Sequence, residues 1–348
     1  MASEANDLKE TLKRLSEEPG ALPFSRLYAF SDLANENLAS FCAVWDTFPT
    51  DQRQRLARSL VELAEASFQV NFDAIFVHFL DDPDGNVRAA AIDGLWENTD
   101  TALLGRLLSV LRSDPSILAR AAAATGLGRF VLAGELEELD PPVQTRILTE
   151  LLTTIHLADE SVDVRRRAVE SVAYACTSEI TEVLELAYYD EDEDMRLSAI
   201  VGMGRSCDER WKDVLLTEVE STSAAMRYEA ALACGGLMLR EAVPILTRLL
   251  DDADPQIRDA SIWSLGQIGG GQAKQALMAA YEDADEDTRA ILDEALAEQA
   301  LTEGNLEFLL YEFDEEGSDE LFQDETTTLW SQDDDIEDEP DRDGWDLL

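Results

Sequence analysis

One arrangement of apolar, small and charged positions returns along most of the chain. It starts with an acidic or polar turn, followed by an apolar residue, an arginine, a small residue three places on and an apolar residue seven places on. It reads DDPDGNVRAAAIDGLW from Asp81 and DPSILARAAAATGLG from Asp114, then DESVDVRRRAVESVA from Asp159. It returns in the segments before Arg196, Arg227, Arg258 and Arg289. The marker arginines are Arg88, Arg120, Arg165, Arg196, Arg227, Arg258 and Arg289, spaced 32, 45, 31, 31, 31 and 31 residues apart. Self-similarity at such a period signals a stacked repeat. The residue before the arginine is Val87, Ala119, Val164, Met195, Met226 or Ile257 in the first six copies. Three after it stand Ala91, Ala123, Ala168, Ala199, Ala230 and Ser261, and seven after it Leu95, Leu127, Val172, Met203, Cys234 and Leu265. Offsets of four lie on one helical face.

The unit predicted is a helical hairpin. Aspartates at the turn suit a helix start, where a carboxylate accepts from free N–H groups, and the prolines that follow several of them fit the first turn. Gly128, Gly204, Gly235 and Gly266 are expected to end or loosen the first helix. A second helix follows, with Leu107, Leu184, Leu215, Leu246, Leu277 and Phe308 nineteen places after their arginines. One hairpin cannot bury its apolar face alone, so neighbours share a continuous core. The 45-residue interval holds an insertion, expected as a loop over Gly134–Pro142 before a helix over Val143–Leu157. It reads as a tolerated surface loop, with a bend or contact point as the other reading. Residues 1–80 lack the marker in phase. They still read as helices over Ser3–Glu18, Phe24–Leu33, Glu36–Phe48, Asp51–Phe68 and Phe72–Leu80, rich in aromatics that suit a larger core in a capping segment, or else a groove for a partner.

The D-x-x-V-R-x-x-A-x-x-x-L-G spacing resembles HEAT repeats over roughly Asp81 to Tyr311, and the near-31-residue period is similar to the short HEAT-like form first named after phycobilisome lyases. The resemblance implies an α-solenoid of the kind that mostly serves scaffolds and adaptors. The last copy departs from the pattern, with Thr288 before its arginine and Leu292 in the small position, as terminal repeats often do.

Charge changes the picture next. The chain has 348 residues, 74 acidic and 27 basic, for a net −47. Such a field opposes nucleic acid and anionic membranes, so neither is expected as a partner. From Glu312 to Leu348, 17 acids face one base, Arg342. That composition is expected to form a disordered acidic tail. Its apolar points include Leu321, Phe322, Leu329, Trp330, Trp345 and Leu347, an acidic–hydrophobic alternation suited to short-motif binding, or else a solubilising tail with stray aromatics. The organisation expected is therefore a helical cap over 1–80, a repeat solenoid over 81–311 and a tail over 312–348. The charged start, Met1–Gly20, and four unpatterned cysteines lead us to expect a cytoplasmic protein.

Candidate chemistry is sparse. His78, in an apolar helix, reads as structural, and His156 reads as an ordinary cation at a helix C-terminus. Neither belongs to an H-E-x-x-H or a paired His-Glu motif, so the sequence departs from the HEAT-like metal hydroxylases, which carry several such pairs. Cys176 and Cys207 both lie eleven places after a marker and read as small buried residues, with a redox or metal contact as the weaker reading. GQIGGG at 266–271 lacks a following Lys-Ser and reads as a hairpin turn. The marker arginines read as a structural ladder to carboxylates or carbonyls of neighbouring turns, with a ligand-binding row as the alternative. Arg165, Arg166 and Arg167 form the densest basic spot, and the last two are candidate contacts for a partner or for the tail. The expected function is a protein–protein interaction scaffold with no cofactor, no metal and no catalytic activity of its own. Its partner is expected to be another protein, one with a basic patch suiting the tail. An enzyme auxiliary or a cofactor or pigment lyase-like protein is the alternative.

Overall fold

The computed structural model describes residues 2–17 and 24–302, and those residues fold into helices with no strand among them. The N-terminal part runs through α1 (Ala2–Glu17), α2 (Phe24–Leu27), a 3-10 turn over Tyr28–Phe30, α3 (Asn35–Trp45), α4 (Thr50–Ala66) and α5 (Asp73–Phe79). The marker-bearing helices follow as α6 (Gly85–Gly94), α8 (Ile117–Glu135), α10 (Val162–Val172), α12 (Glu193–Arg205), α14 (Ala224–Gly236), α16 (Pro255–Ile268) and α18 (Glu286–Thr302). Their hairpin partners are α7 (Thr101–Ser113), α9 (Pro141–His156), α11 (Ser178–Tyr188), α13 (Lys212–Glu218), α15 (Val243–Leu249) and α17 (Gly270–Asp283).

The two kinds of helix form two layers. From α4 to α18 each marker helix packs on the next one, and each second helix packs across onto the marker helices. The apolar positions read from the sequence are the core. The residues before and seven after the arginines are buried from Val87 to Ile257 and from Leu95 to Leu265, and the +19 leucines are buried through Leu277. A single connected core runs from Leu8 to Ala295. The helices start as expected. The Asp84 side chain accepts from the N–H groups of Asn86 and Val87, and Asp192 and Asp254 cap α12 and α16 in the same way.

Three expectations need correction. The glycines do not end their helices. Gly128 and Gly266 lie inside α8 and α16, and Gly204 and Gly235 lie in the last turns of α12 and α14. Each marks a contact with the following marker helix. A Cβ on Gly204 would stand 2.7 Å from Ala233 Cα, and one on Gly235 2.8 Å from Ser264 Cα. Gly128 and Gly266 meet Ser171 and Ala295 slightly less closely, at 3.0 Å. After α16 the positive φ of Gly269 ends the helix, and after α8, α12 and α14 the positive-φ residues Glu137, Cys207 and Met238 stand just past the helix end.

The expected loop over Gly134–Pro142 is present but shorter: helix α8, 19 residues long, runs on to Glu135 and α9 starts at Pro141, leaving Leu136–Asp140 as the connection. The reason is apolar continuity: Phe130, Val131 and Ala133 keep the helix buried, and Gln144 lies against Gly134 where a Cβ would stand. Helix α8 has the length and composition to cross a bilayer, but its apolar side is packed into this core.

The N-terminal segment also contains a hidden repeat. Arg53 on α4 lies with its Nε 3.3 Å from Asp82 Oδ2, an ion-pair contact from one hairpin to the next. Its pattern is masked because the preceding position holds Gln52 where the other copies are apolar. Gln52 is buried, and its Nε2 donates to the Leu15 carbonyl at 2.9 Å. The aromatics of this region are mostly core. Trp45 stacks on Phe79 and donates through Nε1 to Asp82 Oδ2 at 3.0 Å, while Phe68 stays exposed.

Candidate functional site

The turn before four of the marker helices is built around an aspartate six places before the arginine. At Asp82, Asp114, Asp190 and Asp252 one carboxylate oxygen accepts the N–H two residues on, at 2.8–3.0 Å, which tightens the turn. The carbonyl of the same residue accepts from Nη1 of its own marker arginine: 2.7 Å for Arg88, 2.6 Å for Arg120, 2.9 Å for Arg196 and 2.9 Å for Arg258. At Asp114 and Asp252 both carboxylate oxygens also take a two-pronged pair from the marker arginine of the preceding repeat. Arg88 donates through Nε and Nη2 to Asp114 at 2.7 and 2.6 Å, and Arg227 grips Asp252 at 3.0 and 3.3 Å. Arg120 reaches Glu160 at 2.9 and 2.7 Å across the insertion. Planar guanidinium and carboxylate match in this geometry, and partial burial strengthens the pair.

The rungs hold their charges in place. Burial alone would raise Asp114, but hydrogen bonds from Arg88 and from the Ser116 N–H outweigh it and set the carboxyl below its usual range. Glu160 is lowered in the same way, by Arg120 and the Ser161 N–H against burial. Asp252 is lowered by the Asp254 N–H and Arg227.

The ladder is incomplete among the described residues. Arg196 bonds there only to loop carbonyls, Arg289 lies over the Tyr281 ring, and Arg165 has a buried Nε with no partner.

Arg166 and Arg167 belong to a different cluster. It forms on the side of the marker helices turned away from the second layer, around Glu170, which is 3% exposed. Glu170 accepts from Arg167 at 2.9 Å and from Ser198 at 2.6 Å, and its carbonyl accepts from Arg205 Nη1 at 3.1 Å. Arg166 pairs with Asp163 at 3.1 Å, so it is tied locally rather than free. Asp93 on α6 and Glu229 on α14 both feel the charge of Arg167, from two helices away on either side. Successive marker helices also pack much more closely on one another than successive second helices do, which puts the marker layer on the inside of the curve. Surrounding protein raises Asp93 to about 6, helped by Glu65 and opposed by Arg167, although its side chain reaches solvent. Glu229 is raised as well, through burial and Glu170, against the pull of Arg205 and Arg167. The concave face therefore carries a mixed-charge patch of three arginines and three acids in an otherwise strongly acidic protein.

The remaining expected residues fall outside this patch. Leu321, Phe322, Leu329, Trp330, Trp345 and Leu347 lie outside the described residues. Cys176 and Cys207 are exposed, against the expectation of burial, and Cys207 takes a φ of 50° where its helix has ended. They belong to the open end of the repeat, past the buried +7 position. His78 is half-buried, 3.9 Å from Asp46, and His156 is the exposed last residue of α9. Among the described residues no three His, Cys, Asp or Glu side chains group as metal ligands.

Stacked helical hairpins with one continuous core, tied by arginine rungs, define an α-solenoid. The HEAT repeat family model matches residues 74–154 and 212–297, and the chain belongs to the HEAT-repeat proteins. No curated protein matches it by sequence. Among solved structures it is similar to human deoxyhypusine hydroxylase in complex with glycerol, at 17% identity and a TM-score of 0.34, over 86% of this chain and 97% of that one. It is also similar to importin beta, at 15% identity and a TM-score of 0.41, over 85% of this chain and 47% of that one. Kap95p, described with RanGDP, stands at 13% and 0.41, over 90% of this chain and 50% of that one.

Proposed function

We propose that this protein is an interaction scaffold that binds another protein on its concave face. The observation that carries the reading is the patch around Glu170, where Arg167 and Arg205 stand between Asp93 and Glu229 on a continuous surface spanning five marker helices. Arginines held in place by neighbouring carboxylates lose little entropy on meeting a partner's polar groups. Acids whose charge is already disfavoured gain from a basic side chain brought to them. Such a patch selects a partner by charge pattern rather than by an enclosed cavity. The acidic C-terminal segment, with Trp330 and Trp345 among its acids, is a second contact in this proposal, and a cytoplasmic setting is part of it.

The test is a quantitative pulldown from native extract with the full chain and with Asp93→Lys, an accessible change on the patch. A partner enriched by the full chain and lost with Asp93→Lys supports the concave face. A partner held equally by both places binding elsewhere. A bound small molecule with turnover in the recovered fraction, and no protein partner, favours the enzyme-auxiliary reading suggested by the 31-residue period.

A further inference from the structure

The loops that follow α4 and α6 together line a cleft of about 260 Å³. Each loop brings an aromatic side chain to it that also faces water: Phe68 is 88% exposed and Trp96 45% exposed. A single surface aromatic is ordinary, but two lining one cleft mark a place prepared for contact. The same cleft carries two carboxylates, Asp73 and Glu97. Asp73 is half-buried and steadied by Asn98, whose Nδ2 donates to its Oδ2 at 2.8 Å, while Glu97 is exposed. The wall behind is apolar, with the Phe76 ring 2.4 Å from where a Cβ on Gly94 would stand. No lysine or arginine lines the cleft. Arg129 and Asp73 feel each other's charge, but Nε and Nη2 of Arg129 are buried. Small-ligand sites run to roughly 300–1,000 Å³, so this smaller cleft suits one long side chain. Further along the stack the repeat shows which kind. The corresponding cleft, between the loops that follow α10 and α12, is lined by an arginine of the chain itself, Arg210, with its Nε 2.6 Å from Asp208.

We propose that the cleft between the α4–α5 and α6–α7 loops receives an arginine from a basic segment of a partner protein, resting on the Phe68 and Trp96 rings and pairing with Glu97 and Asp73. A guanidinium stacks on aromatic faces and pairs with carboxylates at the same time, which a compact ammonium does less well. Charge selects the occupant. The chain's own segment from Glu312 onward holds 17 acids and one base, and a second copy of the chain brings another −47, so the acidic cleft repels both. A basic partner is drawn in by the same field. Glu65, next in the chain to Ala64 of the lining, adds to that field. The inference rests on the scaffold reading for the partner's being a protein. It adds the chemistry of that partner and a contact site apart from the patch around Glu170.

The probes are two short fluorescein-labelled peptides of glycine and serine, one carrying arginines and the other the same number of lysines. Each is titrated into the full chain and followed by anisotropy at physiological salt, where diffuse attraction is screened beyond about 8 Å. The lysine peptide measures general attraction to an acidic protein. The arginine peptide is expected to bind about tenfold more tightly, through stacking and pairing together. Phe68→Ser changes no charge and removes a ring that packs on little of its own protein, so the fold should be kept. It should cut the preference for arginine by about three- to fivefold. Glu97→Gln should weaken the arginine peptide about threefold more than Glu179→Gln does, an equal loss of charge at an exposed position of α11. Equal affinity for the two peptides, a preference that survives Phe68→Ser intact, or equal effects of Glu97→Gln and Glu179→Gln overturns the proposal. Native extract separates it from the scaffold reading. A protein partner held by Phe68→Ser and lost with Asp93→Lys overturns the cleft alone. Peptide binding as expected, with no protein partner recovered, keeps the cleft as an arginine site and overturns the scaffold reading.

Discussion

The glycines offer the sharpest test of how the repeats stack. Gly204→Ala adds one methyl group where the structure leaves no room: the new Cβ would stand 2.7 Å from Ala233 Cα and 2.8 Å from its Cβ. Ala233 is part of the backbone of α14, so relief requires the two marker helices to move apart. Overpacking of this kind costs about 1–3 kcal/mol, against a gain of about 0.5–1 kcal/mol from replacing glycine within a helix. The net is a loss of about 1 kcal/mol or more. Gly105→Ala supplies the control. Gly105 sits inside α7 with nothing within 4 Å of its Cβ position, so the same change should stabilise by up to about 1 kcal/mol. The two variants should differ by about 2 kcal/mol, or about 4–8 °C in melting temperature at 2–4 °C per kcal/mol. Far-UV circular dichroism during heating reads the shift, and amide exchange in α12 and α14 reports whether the loosening is local. If Gly204→Ala melts higher, as Gly105→Ala should, then Gly204 loosens its own helix and the close-contact account of the stack is wrong.

Three further outcomes follow from the site. Arg88→Met strips Asp114 of its partner while its carboxylate is only 7% exposed, and should cost about 3 kcal/mol in urea unfolding; a loss below about 0.5 kcal/mol would make the rung ornamental. The carboxyls of Asp114, Glu160 and Asp252 are lowered in the fold, so their stabilisation is present above the ordinary carboxylate range near 4 and is lost as pH falls through their folded values, whereas Asp93, raised to about 6, acts in the opposite sense between about 4 and 6. Asp93→Asn should therefore flatten the decline in melting temperature between pH 4.5 and 6.5, and an unchanged slope would remove Asp93 as its source. A maleimide should label Cys176 and Cys207 in the native protein but spare Cys234, which is buried with its thiol pushed up to about 12; labelling of Cys234 at a matching rate would contradict the packing of α14.

The sequence by itself determined the repeat, the helical hairpin and the inward positions. These follow from short-range periodicity: a residue before the arginine, three after and seven after fall on one face whatever the helix packs against. That is why Val87, Ala91 and Leu95, and their equivalents down to Leu265, were legible as core. The N-terminal copy escaped because Gln52 breaks the apolar code, and only its bond to the Leu15 carbonyl and the Arg53–Asp82 contact show that it is the same unit. Tertiary structure decided everything that joins residues 25 or more apart. It turned glycines that look like helix ends into contact points, because stacking distance between marker helices is set by the smallest side chain between them. It chose which carboxylate each arginine meets, and it left Arg196 with loop carbonyls alone among the described residues. It gathered Asp93, Arg167, Glu170, Arg205 and Glu229 from four helices onto one concave face, a grouping no spacing along the chain announces because curvature is a property of the stack.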